Sequence, residues 1–168
     1  MVRHPERFTR AAVMTYAVFN LGAIFYWLAP TAPPWYVAVQ EDAADEMIAV
    51  RRMMVEYGEE FWGDGWGSLY SVFGGNPLAA MPSLHFATSV MAALLLAELS
   101  PLGGALGFAY ATTLGFALVY LGEHYVVDLV GGVALTAVVR RIGPRAGPVL
   151  ERAGRAVAAL EARAHVTG

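Results

Sequence analysis

Four long apolar stretches dominate this sequence of 168 residues and constrain its fold more than any other feature. A helix needs about 20 mainly apolar residues to cross a bilayer, and the first and third stretches meet that length outright. The second and fourth meet it when their polar first turns lie in the interfacial zone. Charged residues make up only 15% of the chain, against about 25% in a typical soluble domain. We therefore expect an all-α integral membrane helical bundle with spans at about 11–29, 83–99, 102–122 and 124–140.

The positions of the arginines predict the orientation of these spans. The chain has no lysine and no cysteine, and nine of its eleven arginines precede the first span or follow the last. Positive charge concentrates on the cytoplasmic side of membrane proteins, so both ends are expected there. The sequence thus predicts a single multi-pass domain over 1–142 in the cell membrane, followed by a cytoplasmic tail over 143–168. The first stretch lacks a small-residue cleavage site, so we do not expect it to be a signal peptide.

The loop over 30–82 is then expected outside the cell. It contains eight acidic residues, and its two cations are Arg51 and Arg52. The proline-rich segment PTAPPWY, residues 30–36, should end the first span, because proline cannot continue a helix. Apolar residues recur at helical spacing over 42–61, which predicts an amphipathic outer helix lying on the membrane surface.

Two histidines stand at the predicted outer ends of spans. His85 follows Met81–Leu84 in the segment MPSLH, and His124 precedes Asp128 by four residues. Residues four apart share one face of a helix, so Asp128 is expected to orient the His124 ring and raise its basicity. His124 would then act as nucleophile and His85 as general acid, while Ser83 and the helix N-terminus would bind phosphate. This arrangement suits phosphoryl transfer from a lipid phosphate.

The segments Pro82-Ser83-Leu84-His85 and His124-x-x-x-Asp128 resemble two signatures of the type-2 phosphatidic acid phosphatase superfamily, Pro-Ser-Gly-His and His-x-x-x-Asp. Leucine in place of glycine is similar to the branch that contains inositol phosphorylceramide synthases. The resemblance implies that His85 protonates the leaving group, that His124 attacks phosphorus and that Asp128 orients His124. It also implies no metal or other cofactor, and membrane lipids bearing a phosphate, whether phospholipid or isoprenoid, as partners rather than nucleic acid.

Two departures from the family pattern bear on phosphate binding. The first motif, a lysine followed by Arg-Pro, is replaced by PTAPPWY without a cation, and the usual Ser-Arg pair falls on Ala117 and Leu118. We therefore predict that Arg51 and Arg52 join Ser83 in binding the substrate. The family has six spans, so four spans would mean either a natural short form of that fold or a chain from which two N-terminal helices are missing.

Several alternatives stay open at this stage. Water as acceptor would make the protein a phosphatase, whereas an inositol or lipid hydroxyl would make it a headgroup transferase. In a second alternative, the protein is a non-catalytic membrane subunit in which His124 and Asp128 form a structural pair. Two histidines on separate spans also suit a haem-binding membrane subunit, which a visible absorption spectrum would reveal. The sequence leaves open whether the chain forms a homo-oligomer.

Overall fold

The computed structural model describes residues 5–40, 53–63, 65–66, 76–143 and 145. Within these ranges the regular elements are helices, and an isolated parallel bridge joins Thr31 to Ala79. This confirms the all-α prediction. The helices are α1 (Pro5–Leu28), α2 (Pro34–Gln40), α3 (Met53–Trp62), α4 (Leu84–Ala97), α5 (Pro101–Tyr120) and α6 (126–143).

Two of the described helices are long and apolar enough to cross a membrane. They are Arg10–Leu28 within α1 and Pro101–Tyr120, which is α5, and only 17% of each apolar window is buried inside the protein. Most of their apolar side chains therefore face outward, where lipid rather than water is the favourable solvent. Helix α4 is apolar but shorter. The four-span arrangement goes beyond these two helices and stays a prediction.

The core lies where α1, α4 and α6 meet. It consists of Met14, Val18, Ala87, Met91, Leu135 and Val139. Beside this cluster, the buried Thr136 hydroxyl donates to the Ala87 carbonyl at 2.9 Å and so ties α6 to α4. Helix α5 approaches α4 through glycine, since a Cβ on Gly104 would lie 2.7 Å from the Cβ of Ala97. Small residues at such contacts bring membrane helices close together.

An ion-pair network joins the same three core helices at one end of the bundle. The Glu98 carboxylate, which follows α4, lies 3.3 Å from Arg10 Nη1 and 2.9 Å from Arg140 Nη2. Helix α4 rises about 20 Å between its two ends. The network therefore lies at the opposite end of the bundle from the start of α4, where His85 is located.

The outer loop differs in part from its prediction. Helix α3 coincides with the later part of the amphipathic helix predicted over 42–61, whereas residues 41–52, with Arg51 and Arg52, lie outside the described residues. Proline-rich PTAPPWY does follow the end of α1, but the chain then forms α2, which begins at Pro34. Proline is favoured at the first position of a helix because an N–H group there would have no intrahelical partner, so its absence costs nothing. Of the predicted tail, residues 144 and 146–168 also lie outside the described residues.

Candidate active site

His85 is the second residue of α4 and its side chain is exposed. The helix begins there because Ser83 is its N-cap: the Ser83 hydroxyl accepts a hydrogen bond from the Phe86 N–H at 3.4 Å. Such a cap satisfies one of the amides that a helix start leaves without an intrahelical partner. Residues 83–85 thus present an exposed imidazole beside the N-terminus of an apolar helix.

His124 is placed by the turn that ends α5. Gly122 has φ +71°, and the N–H groups of Gly122 and Glu123 donate to the carbonyls of Val119 and Leu118 at 3.1 and 3.0 Å. This is the pairing of a Schellman motif, whose left-handed residue is most readily glycine. The His124 N–H also reaches the Leu118 carbonyl, at 3.1 Å. The end of α5 therefore fixes the position of the His124 backbone.

Asp128 lies in the first turn of α6 and is buried. Its Oδ2 accepts from the Tyr125 N–H at 2.8 Å, the contact that an acidic third residue makes with the N-cap amide. The helix starts at residue 126, two residues later than the span predicted from 124. His124 therefore precedes the helix, and the local turn rather than helical periodicity places it beside Asp128.

The His124 ring is buried against the Asp128 carboxylate. Nδ1 lies 3.4 Å from Oδ2, but without the alignment of a hydrogen bond, and that oxygen accepts from Tyr125 instead. Catalytic hydrogen bonds are often long before substrate binds. A small rotation of the ring would direct Nδ1–H to the carboxylate and leave Nε2 free to attack an electrophile.

Burial lowers the pKa of His124 below its usual value of 6.5. The nearby carboxylate of Asp128 opposes this shift, since a negative charge favours the protonated ring, and a backbone interaction with Ala80 acts in the same direction more weakly. A lowered pKa keeps the imidazole neutral at neutral pH. Only the neutral ring has a lone pair for nucleophilic attack.

Backbone contacts connect the two histidine-bearing segments. The Ser83 N–H donates to the Asp128 carbonyl at 3.0 Å, so the cap of α4 is bonded directly to the first turn of α6. One turn further along α6, a Cβ on Gly132 would lie 2.8 Å from the Ser83 carbonyl oxygen. Glycine at 132 therefore allows α6 to approach the start of α4 closely.

The outcome is that His85 and His124 face each other. Their ring centroids are 6.4 Å apart, with the ring planes inclined at 61°. This separation is too long for a direct hydrogen bond between the rings. One imidazole is buried beside a carboxylate and the other is exposed, which suits the different tasks of nucleophile and acid.

The structure thus brings together His85, His124 and Asp128, with Ser83 behind them. Ser83 is buried and its hydroxyl is engaged as the N-cap, so a role in substrate binding stays a prediction. The same holds for Arg51 and Arg52, which lie outside the described residues. Among the described residues, no group of three or more His, Cys, Asp or Glu side chains is arranged to hold a metal ion.

Sequence reasoning missed the residues that support these segments from the side of α1. The Tyr26 hydroxyl donates to the Pro82 carbonyl at 2.9 Å, and the Thr31 hydroxyl accepts from the Met81 N–H at 2.7 Å. Both residues lie at or just beyond the end of a predicted span, where a polar group on an apolar helix is a signal. The residues that they contact, however, are at least fifty positions away in the sequence.

The sequence is similar to a known protein family and to several curated proteins. The family model of the PAP2 superfamily matches residues 1–142. The inositol phosphorylceramide synthase catalytic subunit aur1 of Schizosaccharomyces pombe is 31% identical over 132 residues, which are 74% of this chain and 30% of that protein. Inositol phosphorylceramide synthase of Candida albicans is 32% identical over 125 residues, 71% of this chain and 26% of that protein.

The similarity extends to a third fungal protein. The inositol phosphorylceramide synthase catalytic subunit AUR1 of Saccharomyces cerevisiae is 29% identical over 70% of this chain and 30% of its own length. This chain therefore spans less than a third of the length of these curated relatives. No solved structure matches the chain.

Proposed function

This chain belongs to the PAP2 superfamily, in a branch resembling inositol phosphorylceramide synthases, and from that premise we propose that it is a membrane lipid-phosphate phosphatase or lipid phosphotransferase. The observation that carries this proposal is the pair of facing imidazoles, His85 and His124, 6.4 Å apart, with the buried Asp128 carboxylate beside His124. Two histidines and one carboxylate suffice for phosphoryl transfer through a covalent phosphohistidine.

In the first step, the His124 nitrogen remote from Asp128 attacks phosphorus. The nitrogen–phosphorus bond forms while the bond from phosphorus to the leaving oxygen breaks, and His85 donates its proton to that oxygen. Asp128 stabilises the positive charge that the His124 ring acquires, because an opposite charge 3.4 Å away favours the charged form. The helix N-terminus at Leu84 supports the anionic phosphoryl oxygens through its amide groups and dipole.

In the second step, an acceptor hydroxyl attacks the phosphohistidine. His85, now deprotonated, takes the acceptor's proton, the nitrogen–phosphorus bond breaks, and His124 returns to its neutral state. No metal enters either step. Water as acceptor releases phosphate, whereas an alcohol acceptor yields a new phosphodiester when the transferred group carries a headgroup.

The transfer of an inositol phosphate headgroup is the alternative that the comparisons favour. The three fungal relatives are named for the synthesis of inositol phosphorylceramide. The leucine between Ser83 and His85, which resembles that branch, supports the same alternative. Its substrate would then be an inositol phospholipid rather than a phosphate monoester. The same catalytic residues would serve both reactions. The two reactions differ only in the lipid that donates the transferred group and in the hydroxyl that accepts it.

We also propose that the site faces the outer leaflet of the cell membrane. The Arg10–Glu98–Arg140 network lies at the end of the bundle opposite to His85, and arginine-rich ends favour the cytoplasmic side. Four spans in this orientation would supply four of the six spans of the family fold. Ser83, Arg51 and Arg52 are the proposed phosphate-binding residues in place of the absent first-motif cations.

The experiment that tests the proposal measures product release by purified protein in detergent with EDTA throughout. Phosphatidic acid and an isoprenoid phosphate test the phosphatase reaction, and phosphatidylinositol with ceramide or diacylglycerol tests headgroup transfer. We expect turnover of at least one donor that His124→Ala abolishes and EDTA leaves unchanged. Turnover that persists in His124→Ala, or that EDTA removes, would refute the metal-free phosphohistidine mechanism.

A further inference from the structure

One short segment contacts the chain on both approaches to the candidate site. Residues 76–83 lead into His85, and residues 121–123 lead into His124. The segment from Thr31 to Trp35, which we call the brace, follows α1 and hydrogen-bonds to both of them. It occupies the place where the resemblance to the family would put phosphate-binding cations, and it contains none.

The contact on the His85 side is made by Thr31. Its N–H donates to the Leu78 carbonyl at 2.9 Å, its carbonyl accepts from the Ala80 N–H at 3.1 Å, and its hydroxyl accepts from the Met81 N–H at 2.7 Å. Three hydrogen bonds made by Thr31 thus fix the position of residues 78–81 relative to the end of α1. The last of these bonds depends on the Thr31 side chain and can be removed by substitution.

The contact on the His124 side is made at the other end of the brace. The Trp35 N–H donates to the carbonyl of Gly122 at 3.2 Å, two residues before His124. Between the two contacts lie Pro33 and Pro34, whose rings fix the backbone angle φ. A stiff segment bonded at both ends holds the two approaches at a defined distance.

Helix α1 adds a second anchor on the His85 side. The Tyr26 hydroxyl donates to the Pro82 carbonyl at 2.9 Å, immediately before the Ser83 cap of α4. Tyr26 lies near the end of a helix whose Met14 and Val18 are in the core. The start of α4 is therefore attached to the end of a helix that is itself anchored in the core.

We propose that the brace fixes the separation of His85 and His124, and that Thr31 and Tyr26 are positioning residues for proton donation by His85. The inference rests on the proposed function, since it assigns these residues a task within that reaction. Neither side chain touches a substrate in this account. Both act through the backbone of residues 81–82, and so through the position of the α4 start.

The side-chain contacts predict a specific pattern of kinetic effects. Thr31→Val keeps the shape of the side chain but removes the acceptor for Met81, and Tyr26→Phe removes the donor to Pro82. One hydrogen bond of this kind corresponds to about a 3- to 10-fold fall in kcat, with KM unchanged because the substrate contacts remain. Thr31→Ser retains the hydroxyl and should restore kcat, which makes it the matched control.

Two substrates with different leaving groups separate proton donation by His85 from the other requirements of the first step. Phosphatidic acid has a poor leaving group that needs the His85 proton, whereas p-nitrophenyl phosphate has a leaving group that departs without one. We expect Thr31→Val and Tyr26→Phe to lower the rate of the first turnover, which reports phosphorylation of His124 before the shared second step, for phosphatidic acid. The same rate for p-nitrophenyl phosphate should stay within twofold of wild type. His85→Ala should show the same selectivity with a larger loss.

The outcomes distinguish this inference from the function on which it rests. Wild-type kcat on phosphatidic acid in both Thr31→Val and Tyr26→Phe would overturn the inference and leave the proposed function intact. An equal loss of the first-turnover rate on both substrates would also overturn it, because it would show a general structural defect. A wild-type protein inactive on both substrates would overturn the monoester reaction together with this inference.

Discussion

The contact between Gly132 and the start of α4 yields a prediction that can be worked out from distances. Replacing Gly132 by alanine would place a Cβ 2.8 Å from the Ser83 carbonyl oxygen and 3.3 Å from the Ala87 nitrogen. Real Cβ atoms essentially never show the shorter separation, and both obstacles are backbone atoms that cannot rotate away. Helices α4 and α6 must therefore move apart.

The neighbouring Gly131 provides a matched control. A Cβ there would meet Pro82 Cβ at 3.4 Å and the Met81 side chain at 3.5 Å, which are ordinary van der Waals contacts. Both substitutions gain about 1 kcal/mol of helix propensity, so that gain cancels when the two variants are compared. Overpacking costs about 1–3 kcal/mol, and this is the expected difference between Gly132→Ala and Gly131→Ala in the free energy of unfolding.

Thermal unfolding in detergent measures that difference. For a chain of this size, each kcal/mol corresponds to about 2–4 °C, so Gly132→Ala should melt about 2–12 °C below Gly131→Ala. Its kcat should also fall, because the displaced Ser83 cap carries His85 with it. Equal melting temperatures and equal kcat values for the two variants would refute the close approach of α6 to the α4 start.

Four further predictions concern the site and the turn that positions it. Asp128→Asn keeps an acceptor for the Tyr125 N–H but removes the charge beside His124, so the melting temperature should change little while kcat falls about 100- to 10,000-fold; near-wild-type kcat would exclude an orienting role. Because His124 must be neutral and burial lowers its pKa, kcat/KM should fall on the acid side with a midpoint below pH 6.5, and a midpoint above pH 6.5 would contradict this. The lowered pKa of His124 also means that the unfolded state binds more protons than the folded state as pH falls below 6.5. Acidification in this range should therefore lower the free energy of unfolding, and this decrease should be smaller in His124→Gln than in wild type. Gly122→Ala should lower the free energy of unfolding by about 1–2 kcal/mol in denaturant titration, since residue 122 has a positive φ; an unchanged value would contradict the Schellman turn.

The sequence was sufficient to predict the helical class and the closeness of His85, His124 and Asp128. Apolar stretches located α1, α4, α5 and α6 to within a few residues at most ends, and two of them, in α1 and α5, are long enough to cross a bilayer. The histidines stood out because a titratable group in an apolar setting needs a partner. Alternating helix direction then placed His85 and His124 at the same end of the bundle.

The features that escaped prediction depend on contacts distant in the sequence or on local turn geometry. The Thr31–Met81 and Tyr26–Pro82 hydrogen bonds join residues at least fifty apart, and no periodicity encodes them. Helix α2 begins at a proline inside a segment that reads as a helix stop. The start of α6 at residue 126 follows from the turn around Gly122 and the Asp128–Tyr125 contact, which override helical spacing at His124.

We expect His124 to carry the transferred group during turnover, and trapping this covalent intermediate would reveal it. Purified protein would be mixed with phosphatidic acid or phosphatidylinositol, quenched at alkaline pH where phosphohistidine persists, digested, and analysed by mass spectrometry. We predict an adduct on the peptide that contains His124, which is a phosphoryl group from the first donor or a phosphoinositol group from the second. This adduct should be absent in His124→Ala. Turnover without any adduct on His124, or an equal adduct elsewhere in His124→Ala, would contradict this prediction.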